Sequence, residues 1–584
     1  MDLSQFPLDD ATKNNINTWL TGSYDKDTQD EIRRLLKENI KEIIDSFYKT
    51  LSFGTGGLRG IMGVGSNRMN AYNVRAATQG LANYINKTPG KHSVLIGFDS
   101  RNHSKEFAEE TAKVFAANGI KVFLYKELRP VPLVSFGCRY KKCSAAVMVT
   151  ASHNPPQYNG YKVYWSNGAQ VLPPHDVGII NEVNLITDPK MVKISSLDNP
   201  LIEYITDEMD KAYLDAVRSL QIYPDMNKKD GKNLKVVYTS LHGAGITLVP
   251  KILNDWGFTN ITLVPKQTIP DGNFPTCASP NPEERETLKL GIQTLMETSG
   301  DILIATDPDT DRIGVVVRHE GKEVILNGNE FACVAAYSLF ESMKEKGTLP
   351  EKAALIKTIV TTELLVAIAN GYGKKCFDVL TGFKYIGEMI DKWQQDKNGY
   401  EFIFGGEESY GYLWGTSVRD KDAVIASALA CEIALRAKNK KQTLVDVLYE
   451  IYHRFGIHRE KLLSLTYTGK EGSEKMQAVM QTLRQNHPQS FANIAVVAVD
   501  DYISSTKTFY PTLKTEAIPL PKSDVLMFWL ADKTKLVIRP SGTEPKIKIY
   551  CASSLKDFET LEKGIEDCDA YVDKILASMK ENLG

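Results

Sequence analysis

The chain has 584 residues, more than one hydrophobic core supports, so roughly three to five domains are expected. Hydrophobic residues make up 42% and charged residues 24%, the balance of a water-soluble globular protein. A net charge of −2 supplies no global field toward nucleic acid or an anionic membrane, so any anion must be held by a local cluster.

Residues Met1 to Asp10 lack a basic region followed by an apolar core, and no apolar run nears the ~20 residues of a membrane span. A cytoplasmic protein is expected. Among the cysteines only Cys138 and Cys143 lie close together, without a second pair or nearby histidines to complete a zinc site, so reduced thiols are expected. Asp27 to Tyr48 carries Ile32, Leu35, Leu36, Ile40, Ile43, Ile44 and Phe47 at helical spacing, which predicts one packing helix. Phe53-Gly-Thr-Gly-Gly-Leu-Arg-Gly60 reads as a glycine-rich loop whose amides can approach an anion, with the Arg59 guanidinium beside it. A flexible turn would look the same.

Strand Val94 to Phe98, helix Ser104 to Ala117 and strand Val122 to Tyr125 predict a βαβ unit and a parallel sheet. Ala145 to Val149 reads as a further buried strand, broken by Thr150-Ala-Ser-His-Asn-Pro155. Ser152 and His153 then stand side by side at a strand's carboxyl end, where open α/β sheets bind ligands. Alone, the same residues could form an Asx-type turn. Asn159-Gly160 predicts a hairpin turn into strand Tyr161 to Trp165, which carries Lys162.

The pattern recurs in strands Leu234 to Tyr238, Ile261 to Val264 and Asp301 to Ala305. The last opens into Thr306-Asp-Pro-Asp-Thr-Asp-Arg312, where Asp307, Asp309 and Asp311 alternate. Three carboxylates without sulfur or imidazole favour Mg²⁺ over zinc, and a solvated acidic turn is the alternative. A third round contains strand Ala353 to Ile359, Thr381-Gly-Phe-Lys-Tyr385 and strand Glu401 to Phe404, followed by Gly405-Gly-Glu-Glu-Ser-Tyr-Gly411. Glu407 and Ser409 suit sugar hydroxyls, although alone this segment also reads as a helix start. The charge run Arg419-Asp-Lys-Asp422 follows. Beyond about residue 455 come short β-type runs with helical segments at Ser473 to Asn486 and Leu555 to Met579, the pattern of an antiparallel α+β domain. Its loop Arg539-Pro-Ser-Gly-Thr-Glu-Pro-Lys546 combines hydroxyls, exposed amides and a guanidinium fork.

These loops, in this order over roughly residues 50 to 550, resemble those of the α-D-phosphohexomutase superfamily, the phosphoglucomutase and phosphomannomutase enzymes. The resemblance implies an α/β fold of three similar mixed α/β domains plus a C-terminal α+β domain around a central cleft, with bounds at 1–210, 211–325, 326–455 and 456–584. It implies that Ser152 carries a phosphoryl group and that Ser152, Asp307, Asp309 and Asp311 hold Mg²⁺. Arg59, His153, Lys162 and Arg312 would serve the reacting centre. Thr381, Lys384, Glu407, Ser409, Arg419 and Lys421 would bind the sugar, while Arg539, Ser541, Gly542, Thr543 and Lys546 would hold the phosphate that does not react.

The expected reaction interconverts glucose 1-phosphate and glucose 6-phosphate, with glucose 1,6-bisphosphate as intermediate and activator. A mannose- or pentose-phosphate mutase is the alternative, and the Glu-Glu-Ser loop looks more like the glucose branch than the Glu-Met-Ser dual-specificity enzymes. Expected partners are small sugar phosphates, with no nucleic acid or membrane, for a monomer or homodimer. The phosphate-holding loop argues against a simple phosphatase. The intact Ser152, aspartates and Arg312 argue against a non-catalytic binding protein.

Overall fold

A computed structural model describes residues 2–53, 56–466, 469–540 and 546–582, in two compact units. The first unit comprises Met1–Ile325, Ile386–Asp396 and Ser409–Asn439; the second comprises Leu326–Tyr385, Lys397–Glu408 and Lys440–Gly584.

The first unit begins with helices Asp10–Thr21, Lys26–Glu38 and Ile40–Phe47. Where one helix was expected over 27 to 48, Asn39 leaves helical geometry and its side chain accepts from the Glu42 amide, ending one helix and capping the next. Apolar spacing alone does not reveal that break, because both helices turn their apolar faces into one cluster of Ile16, Trp19, Ile32, Leu36, Ile43 and Phe47.

A six-stranded sheet follows, in the order Gly57–Ile61, Tyr158–Trp165, Ala145–Val149, Ser93–Phe98, Lys121–Tyr125, Ile202–Ile205. The last four run parallel, and the first two join antiparallel. Every residue of Ala145–Val149 is buried. Each valine there contributes roughly 1.5–3 kcal/mol, which anchors the loop that leaves the strand. Two local expectations change. Arg59 lies on a strand rather than in a loop, because Gly57 to Ile61 pair with Lys162 to Tyr158. Asn159 and Gly160 lie inside the Tyr158–Trp165 strand, because the chain has already reversed in residues 151 to 157.

A second sheet in this unit has the order Lys322–Leu326, Ile313–His319, Ile302–Thr306, Val236–Thr239, Ile261–Leu263. Its central strand Ile302–Thr306 is buried throughout and delivers the aspartate loop. Helix Ala423–Asn439 also belongs to this unit, and Asp422 caps its start through the amides of Val424 and Ile425.

In the second unit, strand Ala353–Thr358 lies parallel between Lys375–Val379 and Glu401–Gly406. The C-terminal sheet runs Ile457–Thr466, Lys546–Leu555, Lys535–Pro540, Leu526–Leu530, Ile494–Asp501, Thr506–Phe509, Thr515–Ala517, with neighbours antiparallel. Helices Gly469–Gln485 and Leu561–Glu581 accompany it, as the α+β reading expects. Among the described residues no helix is long and apolar enough to cross a membrane.

Candidate active site

Ser152 is 3% exposed and sits at φ +54°, a left-handed conformation that costs a non-glycine residue on the order of 1 kcal/mol. Its hydroxyl donates to Asp307 Oδ2 at 2.9 Å, and His153 Nδ1 lies 3.2 Å from the same oxygen. Burial, with the cationic charges of Arg312 and Arg59, pushes the His153 pKa well below its usual value, so the imidazole is neutral.

Asp307, Asp309 and Asp311 each offer an oxygen within 4.8 Å of the others, and all three are buried. Asp307 Oδ1 accepts from the amides of Asp311 and Arg312, which fixes the loop's turn. Lys162 donates to Asp309 at 2.8 Å and Asp311 at 2.9 Å. Lys421 approaches Asp311 at 3.3 Å and lies across Gly411, where a Cβ would meet the Lys421 Cδ at 2.0 Å. Three carboxylates thus face two ammonium groups. Burial and the neighbouring Asp309 and Asp311 raise the Asp307 pKa well above the carboxylate range. Burial acts the same way on Asp311, but Lys162, Lys421 and Arg312 outweigh it and hold that pKa down.

The donor set fits a hard cation. Its ligand atoms are oxygens, and Asp309 Oδ1 and Asp311 Oδ1 are buried without a hydrogen-bond partner among the described residues. Such orphaned acceptors are costly unless something positive meets them.

The structure brings Ser152, His153, Lys162, Lys421 and the three aspartates together. Arg59 donates to Asn154 Oδ1 of the serine loop at 3.4 Å. Arg312 pairs its guanidinium with Glu283, 2.6 Å away. Arg419 departs from the sugar-binding expectation. Its side chain is fully buried, ion-paired to Asp391 at 2.7 Å, and donates to the carbonyls of Thr416 and Val418. A guanidinium spent in this way braces its own loop. Ser409 lies in the turn after Glu408, half-buried.

In the second unit, strand Glu401–Gly406 delivers Glu407, which is buried and accepts from the Gly382 amide at 3.0 Å. Gly382 sits between Thr381 and Lys384, so both expected loops meet there. Thr381 Oγ1 is buried without a partner among the described residues, and the Lys384 ammonium lies 5.3 Å over the Tyr385 ring. No helix starts in Glu407–Gly411. Arg539 lies near the end of strand Lys535–Pro540 opposite Lys548, its Nε buried without a partner among the described residues, and Lys546 begins the adjoining strand. Ser541, Gly542 and Thr543 lie outside the described residues.

Sequence reasoning missed Arg101 and Thr150. The Arg101 guanidinium donates to the carbonyls of Ser152, Asn154, Pro155 and Tyr158. Thr150 Oγ1 accepts from the Ser152 amide at 2.8 Å and donates to Asp99 at 2.6 Å. The one available signal was Asp99-Ser-Arg101 at the end of a buried strand.

Residues 50–190, 211–321 and 327–455 match the models for phosphoglucomutase/phosphomannomutase α/β/α domains I, II and III. A phosphoglucomutase of Staphylococcus haemolyticus is 36% identical over 522 residues, 89% of this chain and 93% of the relative. One from Staphylococcus saprophyticus is 34% identical over 554 residues, covering 92% and 99%. Among solved structures, a phosphoglucomutase/phosphomannomutase family protein from Burkholderia thailandensis shares the fold at a TM-score of 0.66 and 19% identity, covering 91% of this chain and 96% of that one. With its aspartate and serine loops built as described, the chain belongs to the phosphoglucomutase/phosphomannomutase family.

Proposed function

We propose that the chain interconverts glucose 1-phosphate and glucose 6-phosphate through a phosphorylated Ser152 and glucose 1,6-bisphosphate. The observation that carries this reading is the Ser152 hydroxyl, buried and 2.9 Å from Asp307 in a three-carboxylate pocket with unmatched oxygens. The relatives that align over nine-tenths of the chain are named phosphoglucomutases, which favours glucose over mannose or a pentose.

In the forward direction the P–Oγ bond of phosphorylated Ser152 breaks as a bond forms between that phosphorus and the sugar's O6. The O6 proton passes to a base. The bisphosphate then presents its other end, the P–O1 bond breaks, the phosphoryl group returns to Oγ, and O1 takes up a proton. Asp307, Asp309 and Asp311, with a Ser152 phosphoryl oxygen, would hold Mg²⁺, which supplies charge neutralisation for the transferring oxygens. The chain's own part is to hold and orient. Lys162 donates to Asp309 and Asp311 and would keep both side chains turned inward. His153, with Nδ1 3.2 Å from Oγ, would move the proton. Glu407 and Ser409 take sugar hydroxyls, Lys421 the sugar phosphate's side, and Arg539 with Ser541, Gly542, Thr543 and Lys546 the idle phosphate.

The test is turnover of glucose 1-phosphate, mannose 1-phosphate and ribose 1-phosphate, each primed with its bisphosphate. Preference for glucose supports the reading, and a faster rate on either rival overturns it. Release of free phosphate at the rate of product formation would identify a phosphatase instead.

A further inference from the structure

We propose that Arg101 is a positioning residue of the phosphoryl transfer, one that aims the Ser152 oxygen by gripping the backbone of the serine loop from behind. Four carbonyls within seven residues point at this single side chain. Nη1 donates to Pro155 at 3.0 Å and Tyr158 at 3.1 Å; Nη2 donates to Ser152 and Asn154. Arg101 is 3% exposed, and its own amide bonds Asp99 at 3.0 Å, so the fork is fixed at its root. Phe274 lies across the guanidinium at 4.9 Å, and Ser279 Oγ donates to the remaining carbonyl of the turn, that of His153, at 2.8 Å.

The consequence is geometric. Carbonyls 152 to 155 are all bound by groups of the protein, so the loop's backbone has one setting, and Ser152 is held at φ +54° within it. That setting points Oγ at Asp307. A phosphoserine attacked in line tolerates little error in direction, since misplacement by about 1 Å costs roughly 10²-fold in rate. Only a planar fork spans four acceptors; an ammonium is a point and reaches fewer. Among the described residues the Arg101 guanidinium hydrogen-bonds neither Ser152 Oγ nor the oxygens of Asp307, Asp309 and Asp311, so its effect is exerted through the turn.

The proposal rests on Ser152 as the phosphoryl carrier, and the experiment separates the two. Full-length wild type, Arg101→Lys and Arg101→Gln are incubated with glucose 1,6-bisphosphate. Phosphoryl occupancy is read by intact mass, and kcat per phosphorylated site, KM for glucose 1-phosphate and Tm are then measured. Both variants are expected to lose roughly 10²-fold in kcat per phosphorylated site, with KM within about threefold, and lysine is expected not to rescue. Wild-type kcat per phosphorylated site in Arg101→Lys, or a loss accounted for wholly by reduced occupancy or Tm, overturns the positioning role. A wild-type chain that takes up no phosphoryl group overturns the carrier reading and this proposal with it. Should both Arg101 variants fail to fold, Ser279→Ala releases only the His153 carbonyl. A several-fold fall in kcat at unchanged Tm then supports the grip, and unchanged kcat refutes it.

Discussion

Two charge clusters built around buried lysines, one in each unit, follow opposite specifications. In the second unit Lys357 is fully buried and reaches Glu363 at 3.0 Å and Asp378 at 2.7 Å, while Lys535 pairs with the same Glu363. Two cations meet two anions, and none of their side-chain atoms is left buried without a partner among the described residues. Burial works against the Lys357 charge, but Asp378 and Glu363 outweigh it and raise the pKa. In the first unit three aspartates face Lys162 and Lys421, two oxygens go unmatched, and the Asp307 pKa is driven up. A matched cluster ties strands together. An unmatched one stores a demand that a ligand must answer, which is how perturbed acids mark functional sites.

Breaking the unmatched cluster should abolish chemistry. Ser152→Ala is expected to lower kcat by roughly 10⁴-fold or more while Tm stays within a few degrees, as read by coupled turnover and thermal melting. Stripping divalent ions should stop turnover, and added Mg²⁺ should restore it. Continued turnover in chelator would remove the metal from the reading. Breaking the matched cluster should instead cost the fold. Lys357→Met leaves the partly exposed Glu363 and the exposed Asp378 facing one lysine, with an expected loss of roughly 1 kcal/mol in denaturant melts and little change in kcat per folded molecule. A stability effect of opposite sign sharpens the contrast most. Asp307→Asn should kill turnover yet raise metal-free stability by about 1 kcal/mol, because it replaces a carboxyl whose ionised form burial and its two acidic neighbours penalise. The sign follows from the raised pKa. Between an ordinary carboxylate pKa and the raised one, folded Asp307 keeps a proton that the unfolded chain gives up, so metal-free stability falls as pH rises. The asparagine variant should lose that slope, and a retained slope would assign it to another group.

Much of this arrangement was legible in the sequence where one residue pattern had one local meaning. Ser104–Ala117 forms the expected helix to the residue, because its apolar spacing and the following glycine agree. The apolar strands ending at Val149 and Thr306 deliver their loops as read, because an all-buried strand must stop where polar residues begin. What the sequence hid depends on distant partners. Nothing local distinguishes Arg419, which is sealed against Asp391, from Lys421 two residues on, which faces Asp311. Arg101 becomes meaningful only when the turn at 152 to 158 folds over it. Asn159-Gly160, a strong turn signal alone, is absorbed into a strand because Gly57–Ile61 pairs along it. In each case tertiary contact outbids local propensity.

Gly411 owes its identity to a neighbour rather than to its own backbone. The Lys421 stem lies where any side chain would begin, with its Cδ 2.0 Å from the position of a Cβ. A single methyl group at residue 411 would therefore evict the ammonium from beside Asp311 and leave the acids more repulsive, although every charged residue of the pocket would still be present in the chain. Part of the electrostatic balance of this centre is thus written as empty space.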